Sequence, residues 1–595
     1  MIKLSDFVAK RLAYHGLRDV FMITGGGAMH LNMSLGREKK LRCIFNHHEQ
    51  ASAMAAESYA RLSGKMAVVS VTSGPGGINA LNGVWGAYVD SIPMLVVSGQ
   101  VKYETTVRSS GLPLRQLGDQ EFDITRAVTT MTKYAVMVTK PEDIQYHIDR
   151  AVYLAANGRP GPVWIDIPLN IQGAPIDEKK LRRYDPREDK CHGKPPLRKS
   201  DVAKTLQKLK AAKRPVILAG NGIRHAGAQK EFLKLAEKLG IPVLTAWHAH
   251  DLIPTSHPLC CGRPATVGDR PGNFIIQKAD LLLSIGCRLN IRQVSYNWND
   301  FAKNAYKIVL DIDPIELQKP TLKPDLPILA DAGEFMRALS ATLKKPLPKR
   351  AEWLALCRNL KEKYPAALLA YWKRKSPMNP YAFVKELSDR LGSGDVVVCA
   401  NGAACVVGGQ VVEIKPGMRM YTNSGCASMG YDLPAAIGAA VGGAKRVICL
   451  AGDGSVQMNL QELQTIVHNR LPIKVFWLNN NGYHSIRQTQ HNFFGEGLVG
   501  CDAPSGVSFP DAGKIASAYG MPFVRCTDLA NCAAALDKAL SSPGCAVFEA
   551  VLDQSQGFEP RNSSRQLPDG RIVSAPYEDM YPFLSREEFE SVMKS

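Results

Sequence analysis

The sequence predicts an α/β protein of three doubly wound parallel-sheet domains followed by an irregular C-terminal tail. Three observations carry that prediction. The chain has 595 residues, 45% of them hydrophobic, enough for about three or four domains with buried cores. Its short β-rich runs are apolar throughout rather than alternating, as in strands covered on both faces, and amphipathic stretches separate them. Two basic, Pro-containing connectors, Lys194-Pro195-Pro196 and Lys345-Pro346-Leu347-Pro348, cut the chain into lengths of ordinary domain size.

In order, the first segment, 1–185, holds the strand-like runs Met66 to Val71, Pro93 to Ser98 and Pro162 to Ile167. The second, 195–345, holds Pro215 to Gly220 and Ala279 to Gly286, and the third, 375–555, holds Arg446 to Gly452 and Lys474 to Asn479. Many of these runs end in Gly, Ser, Asp or Asn. Ligands of open parallel sheets sit at the carboxyl ends of strands, where such residues let the backbone approach phosphates. The tail, 556–595, carries Pro560, Pro568, Pro576 and Pro582 and is expected to hold little regular structure.

Composition excludes several classes of function. Charged residues make up 22%, and the 50 Gly and 37 Pro are spread along the chain, so neither disorder nor a fibrous repeat fits. The formal charge of +18 would point to nucleic acid or an anionic membrane. However, Glu178–Arg214 has a net charge of +9 and Lys344–Lys375 one of +8, so the connectors hold all but one of the 18 net charges. The charge is therefore a solubility feature, and no nucleic-acid partner is expected. The 14 cysteines form no Cys-x-x-Cys pair and no zinc-spaced Cys/His cluster. Several, such as Cys399 and Cys449, lie in apolar runs, as free thiols of a reducing compartment do. No apolar run reaches about 18 residues, and the start Met1-Ile2-Lys3-Leu4-Ser5-Asp6-Phe7 opens an amphipathic helix without a signal core. A cytoplasmic protein with no membrane partner is expected.

The most informative stretch runs from Gly452-Asp453-Gly454-Ser455 at one strand end to Asn479-Asn480-Asn481-Gly482 at the next. Asp453 and Asn480 are 27 positions apart, the length of one β-loop-α-loop-β unit, so both emerge at one sheet edge. The Asp453 carboxylate, the Asn480 amide oxygen and the Gly482 carbonyl then form a hard-oxygen set suited to Mg²⁺. Gly454, Ser455 and the helix that follows offer backbone N–H groups to a diphosphate. Each motif alone is usually a turn. Paired at this separation, they resemble the signature of thiamine diphosphate (ThDP) enzymes.

Such enzymes also need a glutamate from another domain, and Glu49 lies in Phe45-Asn46-His47-His48-Glu49-Gln50, ahead of Ala55-Ala56-Glu57-Ser58-Tyr59-Ala60-Arg61. Alone, Glu49 is an acidic residue favourable in a first helical turn. In the resemblance it is the carboxyl that shares its proton with the aminopyrimidine ring, which activates the thiazolium carbon, and an apolar setting is expected to raise its pKa. Together with Thr72-Ser73-Gly74-Pro75-Gly76-Gly77-Ile78-Asn79, Asp90-Ser91-Ile92-Pro93 and Gly158-Arg159-Pro160-Gly161-Pro162-Val163, these motifs resemble the catalytic subunit of acetohydroxyacid (acetolactate) synthases. The resemblance covers nearly all of the three segments, in the order pyrimidine-binding, central and diphosphate-binding, and is weakest after about residue 490.

The resemblance implies Glu49, Gly27 and Gln120 as catalytic residues, with Gly26-Gly27 as the glycine loop facing the reacting centre. It implies Met429, in Ser424-Gly425-Cys426-Ala427-Ser428-Met429-Gly430-Tyr431, as the apolar wedge that bends the cofactor. Asn79, Asn401, Gly402, Ala427, Gly454 and Ser455 are implied as further ThDP contacts, and Asp453, Asn480 and Gly482 as Mg²⁺ ligands. It also implies a non-redox FAD in the central domain, near Gly220-Asn221-Gly222, Arg288, Arg292 and Asp311. A homodimer or homotetramer, with each active site at a dimer interface, follows by the same resemblance.

Four positions depart from the synthases. Asp119 stands where they carry a phenylalanine and Thr489 where they carry a tryptophan, while Ala403-Ala404 replaces a Gln-His pair. The first two put small polar groups on the acceptor side. His47, His48, His484 and Arg487 flank the site as candidates for handling protons or an acceptor anion. The expected activity is decarboxylation of a 2-keto acid, pyruvate foremost, with transfer of the two-carbon unit to a carbonyl acceptor left open. A non-ligating decarboxylase or lyase, and a carboligase branching a keto-sugar, are the alternatives.

Overall fold

The structure, a computed structural model, describes residues 1–348, 350–495, 497–566 and 569–595. Its framework is three sheets of six strands, each strand parallel to its neighbours. The first sheet runs Arg42–Phe45, Asp19–Met22, Ala67–Val71, Met94–Gln100, Pro162–Pro168, Tyr134–Met137. The third runs Arg419–Tyr421, Asp395–Cys399, Arg446–Gly452, Ile473–Asn479, Ala546–Val551, Phe523–Cys526. Numbered within its own domain, each has the order 2-1-3-4-6-5. The central sheet runs Cys260–Gly262, Val243–Thr245, Pro215–Ala219, Leu281–Ile285, Tyr306–Asp311, Leu326–Leu329, which is 3-2-1-4-5-6. That is the order of dinucleotide-binding sheets, with its switch point between the strands ending at Ala219 and Ile285.

The uniformly apolar runs are buried on both faces. Phe21, Val69, Val71 and Val96 of the first sheet share one core with Val447, Cys449, Val475 and Trp477 of the third. Helices Glu49–Ser63 and Asp432–Val441 fill the space between these sheets. They cross so closely that a Cβ on Gly438 would lie 2.0 Å from the Ala55 carbonyl oxygen. On its other side the first helix meets helix Pro75–Val89, where a Cβ on Gly83 would lie 2.5 Å from that of Ala53. The small residues of the Ala-rich run are what permit this packing.

The basic stretches are not solvated connectors throughout. Helix Lys199–Ala211 buries Val202, Leu206 and Leu209 in the central core, and helix Ala351–Lys363 buries Trp353, Cys357 and Leu360 there. Their apolar residues recur at helical spacing beneath a charged face. The tail after Asp553 is mostly irregular, with a short hairpin, Ser564–Gln566 against Ile572–Ser574, and a closing helix, Arg586–Lys594. It returns to the central domain: Tyr577 is buried, its hydroxyl donates to the Gln293 carbonyl at 2.7 Å, and Val592 joins the central core. Among the described residues no helix is long and apolar enough to cross a membrane.

Candidate active site

Three strand ends of the first sheet build one half-site. After Asp19–Met22 comes the glycine loop, in which the Gly27 N–H donates to Thr72 Oγ1 at 3.1 Å and a Cβ on Gly27 would lie 2.4 Å from Ser73 Oγ. Gly26 faces open space. After Ala67–Val71 comes Gly74 with φ +58°, against which the Gln120 carbonyl packs: a Cβ there would lie 2.3 Å from the Gln120 oxygen. Gln120 is itself left-handed, with φ 59°, a strained state for a non-glycine residue. After Arg42–Phe45 the His48 ring caps helix Glu49–Ser63 by accepting from the Gln50 N–H at 3.0 Å. Glu49 opens the helix, half-buried, and Asn79 Nδ2 donates to its Oε2 at 3.0 Å. Glu49, Gly26, Gly27, Asn79 and Gln120 thus meet at one sheet edge.

The third sheet builds the other half-site. Asp453 is 2% exposed, and its carboxylate accepts from the N–H of Gly454 at 2.8 Å and of Gly482 at 3.0 Å. Burial nonetheless raises its pKa to about 6. Asn480 is 5% exposed, and its Oδ1 is buried with no hydrogen-bond partner. A buried carboxylate and an orphaned buried amide oxygen, at the ends of neighbouring strands, are hard-oxygen donors of the kind Mg²⁺ takes. Arg487 fixes the turn by donating to the carbonyls of Asn480 at 3.3 Å and Asn481 at 2.9 Å, which commits a side chain expected near the acceptor to backbone support. Gly454 packs under the Tyr483 ring, 2.1 Å from where a Cβ would stand, so only glycine fits.

Asn401 Nδ2 donates to Asn423 Oδ1 at 2.9 Å and to the Ser428 carbonyl at 2.6 Å, tying two strand ends together. Gly402 has φ +70° and Ala427 φ 60°, and Met429, two residues after Ala427, is half-buried. The Ser455 hydroxyl accepts from the Gly430 N–H at 2.9 Å and donates to Asp432, so it anchors the wedge segment. His484 is buried against the Gln556 carbonyl, with Nδ1 unpartnered, and burial pushes its pKa down. His47, Asp119 and Thr489 are exposed.

Within one chain the half-sites keep separate partners, Asn79 for Glu49 and Gly454 with Gly482 for Asp453. They are linked beside these residues. The Glu462 carboxylate, fully buried, accepts from the His47 N–H at 2.9 Å and from Asn46 Nδ2 at 2.8 Å, and Asn459 Nδ2 donates to Gln50 Oε1 at 3.1 Å. Sequence reasoning missed Asn459 and Glu462; their only signal is their place on the stretch after Asp453.

A cleft with an empty volume of about 1330 Å³, its open mouth included, lies over the switch point of the central sheet. Gly220 and Gly222 floor it: a Cβ on Gly220 would lie 2.2 Å from the Gly286 carbonyl oxygen, and one on Gly222 would lie 2.7 Å from the Gly286 Cα. Arg159 is held by Asp313 at 3.0 Å and Glu316 at 2.8 Å. Arg292 lies over the Trp247 ring at 5.4 Å, and Arg288 comes no nearer to a carboxylate than 3.8 Å, from Asp90. Burial raises the Asp311 pKa to about 6. A glycine floor, two lightly engaged guanidiniums and a strand-end acid fit an anionic dinucleotide.

Known proteins share this arrangement. Residues 2–126, 202–339 and 400–550 match, respectively, the N-terminal TPP binding domain, the central domain and the C-terminal TPP binding domain of thiamine pyrophosphate enzymes. The acetolactate synthase isozyme 1 large subunit of Escherichia coli is 30% identical over 93% of this chain and 95% of its own length. The chain belongs to the thiamine diphosphate enzymes. Within that family it resembles the acetolactate synthase catalytic subunit. A probable acetolactate synthase large subunit of Methanocaldococcus jannaschii is 31% identical over 100% of this chain and 98% of its own. The acetolactate synthase large subunit of Corynebacterium glutamicum is 33% identical over 87% and 82%. The chain is thus an enzyme with ThDP-dependent activity of the transferase or lyase type, similar to these large subunits.

Proposed function

We propose that this chain is a ThDP- and Mg²⁺-dependent carboligase that decarboxylates pyruvate and transfers the two-carbon unit to a carbonyl acceptor larger or more hydroxylated than a short 2-keto acid. The observation that carries the reading is Glu49: a carboxylate whose partner is the neutral Asn79 amide, beside a glycine loop, with a second buried carboxylate at the matching edge of the third sheet. Bound ThDP supplies a carbon nucleophile and an electron sink for the decarboxylation. Glu49 holds the proton that a pyrimidine nitrogen would share. Gly26 and Gly27 leave room for a substrate to approach. Gln120 turns its amide to a polar group on the reactants, and Met429 provides the apolar support. Asp453, Asn480 and Gly482 hold Mg²⁺, while Asn401, Gly402, Ala427, Gly454 and Ser455 line the diphosphate. Asp119 and Thr489, exposed and small, leave space and polar contact for the acceptor, which also favours a keto-sugar among acceptors.

Gly220, Gly222, Arg288 and Asp311 hold FAD in a non-redox role, a reading supported by the strand order and the glycine floor. A homodimer or homotetramer completes the site. Helix Pro75–Val89 shows Ile78, Trp85 and Tyr88 to solvent along one stripe, with Leu81 between them, and a second copy is the cover this stripe calls for. The cysteines whose side chains the structure describes, which leaves out Cys191, are free thiols, in keeping with the cytoplasm. The test is product analysis after incubation with ThDP, Mg²⁺, pyruvate and a panel of keto acids and keto-sugars. A ligated product is expected; acetaldehyde or acetyl phosphate alone would overturn the carboligase reading in favour of a decarboxylase or lyase.

A further inference from the structure

A line of buried charged groups joins the central cleft to the wedge segment, and none of its members belongs to either half-site. Tyr431, at the end of that segment, donates its hydroxyl to Glu57 Oε2 at 2.7 Å. Arg61 Nε donates to Glu57 Oε1 at 2.6 Å, and Arg61 Nη2 donates to Asp90 Oδ2 at 2.6 Å. Arg61 Nη1 meets His248 Nδ1 at 3.2 Å. Arg61, Asp90, His248 and Arg288 all line the cleft. Glu57 is 1% exposed and Arg61 7%. Burial works against charge on Glu57, while Arg61 opposes that effect, and His248, Arg61 and Arg288 hold Asp90 below its ordinary range despite its burial. Such a line is costly in an apolar core unless every member keeps its partner.

The far end is mechanically tight. A Cβ on Gly425 would lie 2.1 Å from Asp90 Oδ1, so the wedge segment rests directly on that carboxylate. Its next residues are pinned by Ser428 Oγ donating to Asn82 Oδ1 at 2.6 Å, and between the two pins sits the strained Ala427 with φ 60°. A displacement of Asp90 or Tyr431 therefore reaches Ala427 and Met429 without slack. Asp90 and Tyr431 are linked to each other through Arg61 and Glu57.

We propose that Asp90, Arg61, Glu57 and Tyr431 are positioning residues: a buried chain through which a dinucleotide in the central cleft sets the conformation of the segment that carries Ala427 and Met429. The inference rests on the dinucleotide reading of the cleft. Arg288 is the responsive member, since at 3.8 Å from Asp90 it is close enough to be attracted and too far for a hydrogen bond, and an anionic diphosphate competes for it. The cleft ligand thereby alters the electrostatic load on Asp90, and the ThDP pocket registers the change. Binding at the two places is then coupled, and the coupling is reciprocal.

The test is a pair of titrations on the full chain. FAD is added first, followed by flavin fluorescence; ThDP with Mg²⁺ is then titrated by tryptophan fluorescence with and without saturating FAD. FAD is expected to tighten ThDP binding about fivefold or more, and ThDP to tighten FAD binding by the same factor. In Tyr431→Phe, which removes one hydroxyl, and in Glu57→Gln, which keeps the side-chain shape, that factor is expected to fall to about one while FAD binding by itself persists; circular dichroism identifies a variant that has not folded. Failure of FAD to bind the parent chain overturns the dinucleotide reading and this inference together. Binding of FAD with a coupling factor of one, or with an undiminished factor in a folded variant, overturns the inference alone.

Discussion

At the scale of single residues, three carboxylates have three environments and predict three behaviours. Glu49 has a neutral amide partner and is exposed enough to be reached. Glu49→Gln keeps the shape but removes the proton, so turnover should drop by about 10²-fold or more while ThDP still binds; steady-state rates and a ThDP titration check both halves. Asp453 is buried with only backbone donors. Asp453→Asn should raise the Mg²⁺ concentration needed for activity more than about tenfold, because it removes the anionic ligand and turns an amide N–H₂ toward a backbone N–H that the carboxylate had satisfied, read in an activity titration with the metal. Asp166 sits inside the first sheet, bonded by Ser98 Oγ at 2.6 Å and Gln100 Nε2 at 3.1 Å, and burial lifts its pKa from 3.8 to about 7. Its folded state thus holds a proton that the unfolded chain has lost over that interval, and stability falls as pH rises from about 4 to 7. Asp166→Asn should flatten that part of a stability-against-pH profile.

At the scale of elements, the Ala-rich helix Glu49–Ser63 is held between two others by glycines. Gly438→Ala places a methyl carbon on the Ala55 carbonyl, and should cost about 1–3 kcal/mol, read as a lower urea midpoint. This is also where legibility from sequence divides. Strand ends are legible, because Gly, Asp and Asn after an apolar run mark backbone turns. The partner of an apolar face is not: nothing in Ala53, Ala55 or Gly438 says that first and third domains share a core. The basic stretch around Trp353, Cys357 and Leu360 was read by its charge, and its helical apolar spacing was overlooked. Glu57 and Arg61 lie in the Ala55–Arg61 run and Asp90 opens Asp90-Ser91-Ile92-Pro93, yet only their three-dimensional order gives them a role.

At the scale of the whole molecule, the exposed stripe and the tail each carry a prediction. Trp85→Asp charges the exposed stripe, and should yield a smaller species in size-exclusion chromatography with activity lost in parallel. The fully buried Tyr577 fixes the tail to the central domain, and Tyr577→Phe, which leaves the Gln293 carbonyl without its donor, should cost about 1–3 kcal/mol, read as earlier thermal melting.

The shared strand order of the first and third sheets has a consequence for how the work is divided. Helix Glu49–Ser63 follows the second strand of its sheet, as Asp432–Val441 does in the other. The segments before them dock on matching helices: Asn46 and His47 on Glu462 in one direction, Ser428 on Asn82 in the other. Each of the two sheets thus docks the segment before its helix on a helix that follows the third strand of the other. The two sheets share a strand order and a mode of docking, while their strand-end acids differ: Glu49 has a neutral amide partner and Asp453 two backbone donors.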